Sequence, residues 1–154
     1  VLAATAAPVA ARLRTAKPRV VVAATDVHFY GKRLLEMVMA EVGVVAVDGT
    51  SSADPATVAE RALAAGADAV AVSTYNGIAL TYVRRLRAEL SLRGLDVPVF
   101  VGGRLNEIVD DTGGPLPVDV SREIAQLGAR PCADVESFLA ALAALPPRRE
   151  ARVA

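Results

Sequence analysis

The segment "TDVHFYGK" at residues 25–32 contains the only histidine of the 154-residue chain. His28 follows Asp26 by two residues and comes soon after the apolar run "RVVVAA". A neutral imidazole is a good transition-metal ligand, and its second ring nitrogen usually donates to a carboxylate that fixes the tautomer. The pair therefore predicts either a metal-ligating histidine oriented by Asp26 or a loop histidine that is merely hydrogen-bonded to a nearby aspartate.

A metal at this position needs ligands from outside the chain. The chain has one His and one Cys, which excludes both a disulfide framework and a zinc site built from protein side chains alone. A single imidazole suffices for a metal whose other ligands come from a macrocycle. The spacing is thus compatible with a metal that a cofactor carries in.

Each of the further candidate residues can be interpreted either as part of a binding site or as an ordinary structural residue. Gly31 opens a predicted helix, where it admits a flat ligand or is an ordinary N-terminal glycine. Lys32 is expected either to lie near the polar edge of a ligand or to be a solvated side chain. In "VSTYNG" (72–77), Ser73 bonds a ring nitrogen or its own local backbone. "VGG" (101–103) leaves a slot without side chains or forms a turn.

Strand-like and helix-like runs alternate along the chain. Strands are predicted at 19–26, 44–49, 68–74 and 97–103, with a very short one near 128–131. Helices are predicted at 31–43, 54–66, 79–94, 118–128 and 133–145, and a loop at 104–117. This alternation predicts an α/β fold, a flavodoxin-like (Rossmann-like) doubly wound parallel sheet of five strands in the order 2-1-3-4-5.

In folds of this class ligands bind at the carboxyl ends of the strands, at the switch point between strands one and three. Asp26 and His28 follow strand one, residues 73–77 end and follow strand three, and residues 102–103 end strand four. Three loops that converge on one sheet edge favour a ligand site there.

Composition and missing motifs exclude several function classes. Lys and Arg total 17, as do Asp and Glu, so the zero net charge favours neither nucleic acid nor an acidic membrane surface. No apolar segment is long enough to span a membrane, and a single thiol is compatible with a reducing cytoplasm, the location we expect. The sequence lacks a Gly-x-Gly-x-x-Gly after strand one, a Walker motif and a Gly-x-Ser-x-Gly elbow.

Three motifs resemble those of cobalamin-binding domains. "DVHFYG" at 26–31 matches the Asp-x-His-x-x-Gly motif of the base-off, His-on class, in which a protein histidine replaces the cofactor's own dimethylbenzimidazole on cobalt. "VSTY" at 72–75 resembles the Ser-x-Leu motif of that family, and "VGG" at 101–103 resembles its Gly-Gly motif. The similarity covers roughly residues 18–145 and implies that the displaced nucleotide tail enters a pocket between strands.

The resemblance implies a role for each matching residue. His28 is the lower axial ligand of cobalt, Asp26 hydrogen-bonds it, and Gly31 allows the corrin to approach. Ser73 contacts the benzimidazole of the tail, and residues 102–103 line its channel. The cofactor-binding residues expected from the resemblance are Asp26, Val27, His28, Phe29, Tyr30, Gly31, Lys32, Ser73, Tyr75, Gly77, Gly102 and Gly103, with His28 as the metal ligand.

The resemblance is closest to the small subunit or C-terminal domain of adenosylcobalamin-dependent mutases. "DPATVAERALAAGADAVAVS" (54–73) and "STYNGIALTYVRRL" (73–86) are similar to stretches of acyl-CoA mutases. This implies the cofactor-carrying part of a carbon-skeleton mutase (an isomerase), adenosylcobalamin rather than methylcobalamin, and a large catalytic barrel as the partner without which the chain is inactive. "DVHFYGK" is also similar to methyl-transferring corrinoid proteins, so a methyl carrier is the alternative, as is a cobalamin sensor or storage module.

One residue and one segment of the chain depart from the family pattern. Tyr75 stands where Leu is usual, and "LGARPCAD" (127–134) lacks the Gly-Pro-Gly-Thr-like motif with which the mutases end strand five. Three segments are expected: 1–17 as an N-terminal extension or linker, 18–145 as the cobalamin-binding domain and 146–154 as a flexible tail.

Overall fold

The computed structural model describes residues 6–107 and 117–147. Its main sheet is parallel, in the order β2-β1-β3-β4-β7, which confirms the predicted doubly wound, flavodoxin-like α/β fold. The strands of this sheet are β1 (Arg19–Ala24), β2 (Val45–Asp48), β3 (Ala69–Thr74), β4 (Val99–Gly103) and β7 (Arg130–Pro131). The helices are α1 (Ala7–Ala16), α2 (Tyr30–Glu41), α3 (Pro55–Ala65), α4 (Ala79–Leu92), α5 (Ser121–Gln126) and α6 (Val135–Ala143). Two short strands, β5 (Asn106–Glu107) and β6 (Val118–Asp119), form a separate antiparallel pair.

The central strands are apolar throughout because their side chains alternate between two cores. In β1, Val20 and Val22 enter one core, and Val21 and Ala23 enter the other. Helices α1, α2 and α6 cover the first face of the sheet, while α3, α4 and α5 cover the second. Burial on both faces leaves the ends of the strands as the place for polar chemistry.

The ends of α3 follow the capping signals in the sequence. At the start of α3, the Asp54 carboxylate accepts a hydrogen bond from the Ala56 N–H at 2.9 Å, and Pro55 occupies the first turn. Gly66 closes the helix with a left-handed φ of 58°. The predicted bounds of this helix, 54–66, therefore coincide with its two capping residues.

Helix α1 lies within the segment 1–17 that the sequence analysis assigned to an extension or linker. Pro8 occupies its first turn, where a missing N–H costs no helical hydrogen bond. Only Ala10 and Leu13 of this helix are buried, so its apolar pattern is too sparse to indicate a packed helix. Helix α1 packs against α6, so residues 7–16 form part of the packed fold. The outer limits of the domain stay predictions.

The C-terminal third differs in detail from the sequence-based elements. The helix predicted at 118–128 divides into β6 and the short α5, because the Asp119 carboxylate accepts from the Ser121 N–H at 3.0 Å and starts the helix there. The short fifth strand is present as β7, an edge strand in which Pro131 is tolerated. Residues 108–116 of the expected loop and 148–154 of the expected tail lie outside the described residues.

No helix in the described ranges 6–107 and 117–147 combines the length and apolarity needed to cross a membrane.

Candidate functional site

The parallel register places the carboxyl ends of β1, β3 and β4 side by side. Ala24 pairs with Ser73, and Ser73 pairs in turn with Gly102. The polar residues that follow β1 and β3 and the glycines that end β4 are therefore neighbours at one edge of the sheet, as in other doubly wound folds.

Asp26 holds His28 in a defined orientation. One carboxylate oxygen, Oδ1, accepts from the His28 backbone N–H at 2.7 Å and lies 3.0 Å from His28 Nδ1. The other oxygen, Oδ2, accepts from the Tyr75 N–H at 3.1 Å, which ties the β1 loop to the β3 loop. Asp26 is largely buried, with 10% of its side chain exposed, whereas the His28 side chain is 69% exposed.

This arrangement determines which imidazole nitrogen can bind a metal. An ionised carboxylate only accepts hydrogen bonds, so the His28 nitrogen that faces Asp26, Nδ1, carries the proton. In the neutral ring Nε2 then has the free lone pair, and among the described residues it has no hydrogen-bond partner. The Asp26–His28 pair thus has the form of a carboxylate-oriented metal ligand with one open nitrogen.

A buried hydroxyl pair beneath this loop was not predicted from the sequence. Thr25 Oγ1 lies 3.0 Å from Thr74 Oγ1 and 3.2 Å from Asn76 Oδ1, and Thr74 is fully buried. The three side chains join the ends of β1 and β3 directly below the Asp26 carboxylate bridge. Polar residues at the ends of two adjacent buried strands were the signal for this contact.

A cleft of about 240 Å³ opens between α2 and the start of α6, over the ends of β3 and β4. Its walls are mainly apolar, with Leu35, Ala71 and Phe100 at depth and the half-buried Cys132 on one side. Burial, with the nearby Asp134 carboxylate, raises the pKa of the Cys132 thiol above its ordinary value. The Ser73 hydroxyl is the polar group of β3 that faces this cleft.

A second, more open cavity, the hollow, lies above the sheet edge. The hollow measures about 420 Å³ and is lined by His28, Tyr30, Gly31, Tyr75 and Arg104. The Tyr30 ring stacks on Phe29 with centroids 4.8 Å apart, although Tyr30 itself is 77% exposed. Arg104 follows the two glycines of β4 and was missed because a solvated arginine after a strand is unremarkable in sequence.

Two glycines of this edge have no room for a side chain. A Cβ on Gly31 would lie 2.8 Å from the Ser73 Oγ, so the first turn of α2 packs directly on the end of β3. Gly103 has a φ of +97°, and a Cβ there would lie 2.4 Å from the Thr74 carbonyl oxygen. Gly102 is different, because a Cβ at that position makes only an ordinary contact of 3.7 Å with the Cys132 carbonyl oxygen.

Lys32 lines neither of the two cavities. Its side chain is only 9% exposed, and its Nζ lies 2.5 Å from Glu36 Oε1 and 2.7 Å from Asp48 Oδ1. Burial alone would lower the pKa of the Lys32 ammonium, but hydrogen bonds to Asp48 and Glu36 outweigh burial and raise it. Lys32 therefore joins α2 to the end of β2 and is not a solvated side chain.

The remaining expected site residues lie around the cavities rather than in their walls. Val27 is 71% exposed and Phe29 40% exposed, beside His28. Gly77 has a φ of +74° with open space around it, in the turn that precedes α4. Seven of the expected residues line one or both cavities, namely His28, Tyr30, Gly31, Ser73, Tyr75, Gly102 and Gly103.

Two solved structures with the same fold are described as cobalamin proteins. A cobalamin-binding protein from Desulfitobacterium hafniense DCB-2 matches with a TM-score of 0.64 and 18% identity over 82% of this chain. The methanol:cobalamin methyltransferase complex MtaBC from Methanosarcina barkeri matches with a TM-score of 0.65 and 15% identity over 86% of this chain. The chain spans 58% and 48% of these two proteins. At such sequence identities the likeness to these structures shows the fold alone. A comparison with curated protein sequences found no match to the chain.

The family model of the B12 binding domain matches residues 16–112, more than half of the chain. The match includes the Asp26–His28 pair, the end of β3 and both glycines of β4, whereas the wall of the cleft at residues 132–138 lies outside it. By this match, in agreement with the fold and the motifs, the chain belongs to the B12 binding domain family.

Proposed function

We propose that the chain binds cobalamin in its base-off form, with His28 Nε2 as the lower axial ligand of cobalt. The observation that carries the proposal is the Asp26 carboxylate, which accepts from His28 Nδ1 and leaves Nε2 open at the hollow. A hydrogen bond from Nδ1 to a carboxylate is the usual support of a metal-bound histidine and raises its basicity.

The other residues of the site fit a corrinoid. Gly31 keeps the first turn of α2 free of a side chain beneath the hollow. The cleft offers apolar walls and the Ser73 hydroxyl, which suit a flat nitrogenous base.

Within this proposal each residue of the chain has one task. His28 holds the metal, Asp26 orients His28, and Ser73 donates a hydrogen bond to the base of the nucleotide tail. When bound, the cofactor would supply cobalt–carbon bond chemistry, and the chain would contribute binding and orientation.

We further propose that the chain is the cofactor-carrying part of an adenosylcobalamin-dependent carbon-skeleton mutase of the acyl-CoA type. Support comes from the resemblance of residues 54–73 and 73–86 to those mutases. A separate catalytic partner, a barrel in this proposal, would enclose the substrate. One fold neighbour is described as a methyltransferase complex, which supports a catalytic partner in general terms. Turnover of an acyl-CoA or amino acid by the chain alone would contradict the need for that partner.

A methyl carrier is the second candidate. The fold neighbour from Methanosarcina barkeri, described as a methanol:cobalamin methyltransferase complex, favours it. So does "LGARPCAD" (127–134), because the strand-end motif of the mutases is missing there.

An absorption titration with adenosylcobalamin and methylcobalamin tests the proposal. The wild-type chain should give the base-off, His-on spectrum, and His28→Ala should lose it. Leu63→Ala, which removes an exposed side chain of α3 that lines neither cavity, is the control and should keep it. Tighter binding of the adenosyl form supports the mutase, and tighter binding of the methyl form supports the carrier. A spectrum that survives His28→Ala contradicts the assignment of the ligand.

A further inference from the structure

The Tyr75 side chain lies at the junction of the two cavities. Among the described residues only Tyr75 and Gly31 line both the cleft and the hollow. A ligand that occupies the hollow and also extends into the cleft must therefore pass the Tyr75 ring.

The ring occupies the space that two glycines leave free. A Cβ on Gly31 would lie 3.5 Å from Tyr75 Cε2 and 3.7 Å from its hydroxyl oxygen. A Cβ on Gly103 would lie 3.1 Å from the same Cε2 atom. The ring thus bridges the first turn of α2 and the end of β4, and the slot between these two elements is filled by a side chain of the protein itself.

The cleft is small in this arrangement, and Tyr75 is partly exposed at its mouth. Ligand pockets usually measure about 300–1,000 Å³, whereas the cleft measures about 240 Å³. The Tyr75 backbone N–H is held by Asp26, so the main chain is fixed at this point. The side chain is 45% exposed, which leaves room for its ring to rotate toward solvent.

We propose that Tyr75 selects between corrinoids by their nucleotide tail. This inference rests on the proposed binding of cobalamin by His28. A corrinoid with a tail binds only when the ring has left the junction, which costs free energy. A corrinoid without a tail needs the hollow and His28 alone, so it binds with the ring in place. Tyr75 therefore weakens tailed corrinoids relative to tailless ones, an effect that the Leu usual at this position would lack.

The test compares adenosylcobalamin with adenosylcobinamide, which lacks the nucleotide tail. The measured quantity is the ratio of their association constants, for the wild type and for Tyr75→Leu, Tyr75→Ala and Tyr75→Phe. The cost of detaching the cofactor's own base is the same for every variant and cancels in the comparison. We expect Tyr75→Leu and Tyr75→Ala to raise the ratio in favour of adenosylcobalamin about tenfold, since moving a side chain out of its preferred rotamer has a cost of this order. Tyr75→Phe keeps the ring, so its ratio of association constants should stay within about twofold of the wild-type ratio.

An unchanged ratio in both ring-deleting variants overturns the inference. A rise in Tyr75→Phe as large as in Tyr75→Leu also overturns it, because the hydroxyl group rather than the ring would then be responsible. These results leave the proposed function intact as long as both corrinoids give a spectrum that depends on His28. If neither corrinoid gives such a spectrum, the proposed function and the inference fail together.

Discussion

Asp26 is the residue on which the geometry of His28 depends. Its two carboxylate oxygens accept three N–H groups, from the His28 backbone, the His28 ring and the Tyr75 backbone. An asparagine offers a single accepting oxygen, and its amide NH₂ would face one of these donors. The charge that strengthens His28 as a donor to a metal would be lost as well.

Asp26→Asn should therefore lower the affinity for cobalamin about 10–100-fold, the usual cost of altering the partner of a metal-bound histidine. The measurement is an absorption titration of the purified variant. Asp54→Asn is the control, because Asn is an equally good N-cap for α3 and lies outside both cavities. Equal affinity of Asp26→Asn and the wild type would contradict the role assigned to Asp26.

At the scale of the element, the end of β4 carries two adjacent glycines with different constraints. Gly103 has a positive φ and a backbone oxygen in the place of a Cβ, whereas Gly102 has neither. Gly103→Ala should lower the free energy of unfolding by about 1–3 kcal/mol. Gly102→Ala should change it by less than about 0.5 kcal/mol. Urea denaturation of both variants measures this difference, and equal losses would contradict the geometry of the strand end.

Helix α1 gives a second prediction at this scale. Leu13 is fully buried in the core that α1 shares with α2 and α6. Leu13→Ala should destabilise the chain by about 2–5 kcal/mol, as expected for a buried leucine. Leu92→Ala is the matched control, since Leu92 is 80% exposed and should have little effect. If both variants unfold at the same urea concentration, residues 7–16 behave as a linker.

The ion pairs that join α2 to β2 predict a dependence of stability on pH. The hydrogen bond from Lys32 holds the pKa of Asp48 below its ordinary value of 3.8, with help from the Thr50 N–H. A lowered carboxyl pKa contributes stability that is present above the ordinary value and is lost as the pH falls through the folded value. The raised pKa of Lys32 has the opposite consequence, a contribution present below 10.5 and lost only at higher pH.

Asp48→Asn removes the charge but keeps an oxygen for the Thr50 N–H. Because the Asp48 side chain is 65% exposed, its pairing is screened and contributes no more than about 1 kcal/mol. We expect the wild type to exceed Asp48→Asn in free energy of unfolding near pH 7, and we expect this difference to shrink as the pH falls below 3.8. A gap that persists unchanged in acid would show that the charge is not its cause.

At the scale of the whole molecule, the strands and their order could be predicted because the buried runs are apolar and separated by capped helices. Helix α1 could not, since Leu13 and Ala10 alone mark its buried face. At the division at 118–121 the Asp119 carboxylate accepts a hydrogen bond from the Ser121 backbone N–H, which periodicity does not indicate.

The contact between Asp26 and His28 could be predicted, because the two residues are close in the sequence and their side chains are natural hydrogen-bond partners. Contacts between distant segments could not be predicted. Lys32 pairs with Asp48 on a neighbouring strand, and the Tyr75 ring fills the space beside Gly31 and Gly103. Such contacts depend on the fold, so a motif cannot specify them.

The central claim is that His28 ligates cobalt, and a single histidine in the chain allows a direct test. The protein would be produced without a histidine tag, labelled with ¹⁵N in the histidine ring and loaded with cob(II)alamin for electron paramagnetic resonance. Our account predicts that the nitrogen splitting of the cobalt lines changes from a triplet in unlabelled protein to a doublet in labelled protein. A triplet that persists with the label would mean that the cofactor's own base remains on cobalt and would contradict the account.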